Sequence, residues 1–106
     1  MKHVTCTDME NFDATALGLE GTAKMKLRIL SEDSTWIELG PGGYTPDHKH
    51  GDKERIVIMS GKGVIKLGEK RQELKPNDFI EISDEDHQLI NTGNDLLTFV
   101  CFRNQC

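Results

Sequence analysis

From residue 23 onward the chain alternates. In "MKLRIL" the apolar Met25, Leu27 and Ile29 are separated by Lys26 and Arg28, the period of two of a half-buried strand. "STWIELG" comes next, rich in residues that favour extended backbone and stopped by the turn cluster Gly40-Pro41-Gly42-Gly43. "ERIVIMS", "GVIKLG", "DFIEIS", "HQLINTG" and "LLTFVCF" follow, each short and bounded by Gly, Asn, Asp or Pro. No helical period emerges after residue 22. Many short strands at close spacing predict an all-β sandwich or closed barrel rather than βαβ units. The pattern starts at residue 23, so 23–106 is expected to be the barrel and 1–22 an N-terminal arm, exchanged with a partner or covering a sheet edge.

Composition narrows the picture. At 106 residues there is one domain, able to bury about two-thirds of its unfolded surface. Hydrophobic residues are 36% and charged residues 29%, an ordinary folded composition. The net charge of −5, with basic residues scattered among acidic ones, excludes a phosphate-binding face, so no nucleic-acid partner is expected. No apolar run is long enough for a membrane span or signal peptide, and a soluble cytoplasmic protein is expected. Cys6, Cys101 and Cys106 are odd in number and lack metal-site spacing, which reads as free thiols. "SGKG" at 60–63 is a hairpin turn rather than a phosphate loop, and no G-x-S-x-G or Cys–His signature supports covalent hydrolysis.

The candidate chemistry lies in "PGGYTPDHKHGDKERIVIMSGKG". His48 and His50 leave the same face of an extended chain, with Cβ atoms about 7 Å apart, a span two imidazoles can close around one ion. Glu54 shares their parity, but a straight strand would carry it about 13 Å beyond His50. Gly51-Asp52-Lys53 supplies a turn that returns it. A firm site needs a fourth group. His87, at the start of a distant strand, is the obvious source, because a closed antiparallel sheet pairs distant segments. Asp47, Asp52, Asp84, Glu85 and Asp86 read as a solvated acidic rim around the mouth.

Gly42, five residues, His48-x-His50, three residues, Glu54, six residues and Gly61 together resemble the first motif of the cupin superfamily at every position. The second motif is matched by Pro76, Asp78, His87 and Asn91. Asn77 stands where glycine is common, a replacement that tolerates left-handed backbone. A proline often found before the histidine is absent. The resemblance implies a small double-stranded β-helix, a jelly-roll barrel, holding one divalent metal through His48, His50, Glu54 and His87.

Three imidazoles and a carboxylate suit Mn, Fe, Co, Ni or Zn and are too nitrogen-rich for Mg or Ca. Four ligands on an octahedral ion leave two positions open, whereas tetrahedral zinc would be closed, so Mn or Fe is the first choice. An oxygenase-type enzyme acting on a small organic molecule is expected. The rivals are a Lewis-acid isomerase or lyase and a non-catalytic module that binds a sugar or other metabolite. The resemblance also implies a homodimer, with the 1–22 arm as a contact.

Ile56 and Ile58, of Glu54's parity, would line the pocket, and Tyr44 would border it. Asn91 would either orient a ligand or cap a turn. Cys101 would either pack as a small hydrophobe or lie near the metal.

Overall fold

The computed structural model of the protein describes residues 1–47, 53–83 and 85–102. Among these are nine strands: β1 (Phe12–Asp13), β2 (Ala23–Ser31), β3 (Ser34–Tyr44), β4 (Lys53–Ser60), β5 (Gly63–Leu67), β6 (Lys70–Leu74), β7 (Phe79–Ser83), β8 (His87–Asn91) and β9 (Leu97–Cys101). The only helical turns among the described residues are Cys6–Asp8 and Thr15–Leu17, both 3-10. The fold is all-β, as the alternation predicts. No helix among the described residues is long and apolar enough to cross a membrane.

The strands form one curled sheet in the order β6-β5-β8-β3-β9-β4-β7, with β2 also paired to β3 and β1 to β2. β3 joins the two halves. Its residues Thr35–Leu39 pair with Cys101–Leu97 of β9, while Tyr44 pairs with Ile90 of β8. Between them the Gly-Pro-Gly-Gly cluster bulges out, so that the register to β2 jumps from Met25↔Leu39 to Ala23↔Tyr44. Gly42 has φ +78°, and a Cβ at Gly43 would lie 2.7 Å from the Ala23 carbonyl. Glycine is required at those two positions, at Gly42 by backbone conformation and at Gly43 by space. Lys24, itself at φ +53°, reaches across and donates from Nζ to the Pro41 carbonyl at 2.8 Å.

Inward-facing positions form continuous rungs. Ile58, Phe99, Ile37, Leu27 and Phe12 are successive cross-strand partners through β4, β9, β3, β2 and β1, and all but the half-buried Phe12 belong to the buried core. Each fully buried Ile, Leu or Phe contributes about 1.5–3 kcal/mol relative to an exposed one. One residue over, on the outer face, Phe79, Val57, Val100, Trp36 and Arg28 form the matching rung. Phe79 is 62% exposed there.

Within the N-terminal segment, Met9 and Phe12–Ala14 contact β2. Phe12 and Asp13 pair with Leu27 and Lys26, Ala14 is buried, and Arg28 donates to the Met9 carbonyl while forming an ion pair with Glu38.

Two departures from simple periodicity have physical causes. Ile29, expected to be buried with Met25 and Leu27, is 57% exposed, because it lies near the hairpin end of β2, beyond the cover of β1, which pairs only as far as Leu27. β6, "KRQEL", shows no alternation because every residue but Leu74 is exposed; its pairing to β5 alone makes it an edge strand.

Candidate metal centre

Glu54 is the second residue of β4 and faces inward, its Cα opposite the buried Ile82. His87 opens β8, with Leu89 and Asn91 on the same buried face. The curl of the sheet brings these two side chains together across 33 residues of sequence, His87 Nε2 lying 3.2 Å from Glu54 Oε1. Both are nearly inaccessible, at 1% and 2% exposure.

The other ring nitrogen decides what this pair can do. His87 Nδ1 lies 2.9 Å from the Glu85 carbonyl oxygen, and a carbonyl can only accept. The hydrogen-bond network therefore places the proton on Nδ1, leaving Nε2 to present a lone pair toward the carboxylate. Two acceptors at that distance in a dry interior are stable only with a proton shared between them or a cation. Burial opposes the charged imidazolium, but the Glu54 carboxylate, the Glu85 carbonyl and the nearby Asp47 charge together outweigh it and raise the His87 pKa above the ordinary 6.5. An imidazole whose far nitrogen is tied to a backbone carbonyl is also the arrangement metal-ligating histidines adopt. The donor chemistry thus fits a divalent transition metal.

Of the four ligands that the sequence suggests, the structure brings Glu54 and His87 together; His48 and His50 lie outside the described residues. The chain leaves β3 and enters β4 at the end of the barrel where Glu54 and His87 stand. Ile56 and Ile58 continue inward from Glu54 and are fully buried. Cys101 is 1% exposed and sits opposite Ile56, one rung below Glu54 on the neighbouring strand. Its thiol packs among the core residues.

Asn91 is buried too, but its amide hydrogens go to the Leu39 and Asp95 carbonyls, both at 2.8 Å, and its oxygen accepts from Gly93 N–H. It ties the β8–β9 turn to β3. Tyr44 lies on the outer face opposite Ile90 and is 36% exposed, with the parity of Trp36 and Glu38 and opposite to that of the buried Ile37 and Leu39, so it does not border the pocket through this face. Of the acidic rim, Asp47, Glu85 and Asp86 are exposed, while Asp52 and Asp84 lie outside the described residues.

The second motif forms a tight turn. Asn77 takes φ +75°, Asp78 accepts from the Lys75 amide, and Asn77 N–H and Asp78 C=O bond to Ile58. Pro76 followed by a left-handed Asn is type II turn chemistry.

Sequence reasoning missed Thr45. It is 2% exposed and bonded to β8 through backbone and side chain alike. The only sequence signal is its place directly before Pro46.

A family model described as a Cupin domain matches residues 35–103, well over half of the chain. The chain belongs to the cupin family. Among curated proteins this cupin is similar to auxin-binding protein T85 of Nicotiana tabacum, with 27% identity over 105 residues, covering 88% of this chain and 56% of the tobacco protein. The chain therefore spans about half the length of that relative.

Among solved structures it resembles the polyketide cyclase RemF from Streptomyces resistomycificus, with a TM-score of 0.83 and 21% identity over 99% of this chain and 80% of that one. It also resembles a predicted oxalate decarboxylase of Thermotoga maritima, with a TM-score of 0.79 and 25% identity over 94% and 96% of the two chains. These likenesses identify the curled sheet as the jelly-roll barrel of a cupin.

Proposed function

We propose that this cupin binds one divalent metal, Mn or Fe before Ni, Co or Zn, through His48, His50, Glu54 and His87, and that it is a metal-dependent enzyme of oxygenase type acting on a small organic molecule. The observation carrying this reading is the buried Glu54–His87 pair, with His87 Nδ1 held by the Glu85 carbonyl and Nε2 aimed at the carboxylate. Such an ion with two open positions would supply Lewis acidity and electron transfer. The protein's own part is to orient His87 through Glu85, to hold the Glu54 carboxyl group beside it, and to present an apolar floor at Ile56 and Ile58 that keeps water away from a bound ligand.

The same fold is compatible with redox-neutral isomerase or lyase chemistry and with a non-catalytic metabolite-binding module. Elemental analysis of the purified protein, followed by oxygen uptake and product analysis over a substrate panel with added Fe or Mn, separates these readings, redox-neutral turnover without oxygen uptake marking the isomerase or lyase. One metal ion per chain with substrate-dependent oxygen uptake is the expected result. Stoichiometric metal without turnover points to the binding module, and no metal uptake at all overturns the proposal.

Pairing of two copies belongs to the same reading. The exposed Phe79 continues a rung through Val57, Val100 and Trp36 on the outer face, an apolar stripe that a second copy would cover. Light scattering on the same preparation is expected to give twice the chain mass, and a monomer would rule the pairing out.

A further inference from the structure

β3 and β8 stop pairing in an unusual way, at the root of the segment that carries the two histidines. Tyr44↔Ile90 is the last cross-strand pair in register, and at the next step Thr45 N–H donates to the Leu89 carbonyl at 2.9 Å. A regular ladder would return the Leu89 N–H to the Thr45 carbonyl. Instead that N–H donates to the Thr45 side-chain Oγ1, also at 2.9 Å and fully buried. The Thr45 hydroxyl points its own hydrogen toward the Pro46 carbonyl at 3.5 Å. The freed Thr45 carbonyl turns outward and accepts from the Gln88 side-chain amide at 2.9 Å. Two side chains thus take over from the backbone at one point, and the chain peels away from β8 there.

The place of this switch is significant. In continued antiparallel register residue 47 would lie opposite His87; the switch ends the pairing two residues short of that. His48 is three residues beyond Thr45, within about 10 Å of chain reach. Gln88 is the immediate neighbour of His87. The bonds that release the chain therefore also fix its point of departure relative to the His87 ring.

We infer that the Thr45 hydroxyl and the Gln88 amide form a clamp that fixes where the chain leaves β8 beside His87, and so sets the metal affinity of the site. Both are positioning residues, acting through others rather than on the ion. The inference rests on the metal-binding reading above. Outer-shell groups that orient ligands typically change metal affinity about 10–100-fold when removed, and that is the effect expected here.

The test is Mn2+ and Co2+ binding by chelator competition on the full chain as wild type, Thr45→Val, Thr45→Ser and Gln88→Leu. Thr45→Val keeps the shape and removes the acceptor; Thr45→Ser keeps the acceptor. The expected result is a loss of about 10–100-fold for Thr45→Val and a smaller loss for Gln88→Leu. Thr45→Ser should return to within about threefold of wild type, well inside the loss expected on removing an outer-shell group. The visible bands of the Co2+ form should change in Thr45→Val and recover in Thr45→Ser, which a merely destabilised barrel would not do. Should Thr45→Val fail to fold, Gln88→Leu against wild type decides. Wild-type binding with unchanged affinity in the folded variants overturns the clamp and leaves the metal reading standing. Failure of the wild type itself to bind either ion overturns both.

Discussion

Two acid–base pairs start from consecutive residues of β4 and are separated by the thickness of the sheet. On the inside, Glu54 meets His87 at 3.2 Å, with both side chains 2% exposed. On the outside, Arg55 meets Glu81 at 2.9 Å, with 50% and 38% of the side chains exposed, and Lys53 adds a looser contact to the same carboxylate at 3.7 Å. By distance alone the outer pair is the better one. Its charges are nevertheless solvated before and after folding, so it contributes little. The inner pair has given up water entirely, and its geometry has no stable charge state without a proton or a metal ion between the two groups. Burial, not separation, distinguishes a candidate site from surface decoration on this strand.

Breaking each pair should expose that difference. The largest effect is expected for Glu54→Ala in the metal-free protein, where His87 loses its counter-charge in a dry environment. About 3–5 kcal/mol of unfolding free energy should disappear in urea titrations, together with the metal stoichiometry.

An intermediate effect is expected from pH. His87 has a raised folded-state pKa, so its stabilising contribution is complete below its unfolded value near 6.5 and is lost as the pH climbs through the raised folded value. Metal-free protein should therefore weaken across that window. His87→Gln should flatten the profile. Metal affinity should move the opposite way and strengthen with pH, because the ion competes with the proton on Nε2.

The smallest effect belongs outside. Glu81→Ala should change stability by less than about 1 kcal/mol, and less still at high salt. A loss as large as that of Glu54→Ala would end the distinction drawn between the two faces.

Much of this was legible in the chain. Alternation marked β2–β5 and β7–β9, although β9 is buried at every position rather than on one face. Glu54 and His87 were legible as partners through motif spacing, and the left-handed Asn77 through turn chemistry. What escaped had no periodic signal. β6 is polar on both faces, and β1 is only two residues long. Tyr44 was expected at the pocket border, whereas parity with the buried Ile37 and Leu39 sets it on the outer face. The role of Asn91 depends on carbonyls of Leu39 and Asp95, and a backbone acceptor carries no residue-type signature. Thr45 was missed for the same reason, because its partner is the amide of Leu89.

The corner at Gly40–Gly43 has a consequence for how the molecule comes apart. Because β3 lends its first part to β9 and its end to β8, neither half of the barrel owns a complete set of strands. Opening one side strips the other of its neighbour, so amide protons at Ile37 and at Thr45 should exchange with solvent through a single shared event rather than through two separate ones.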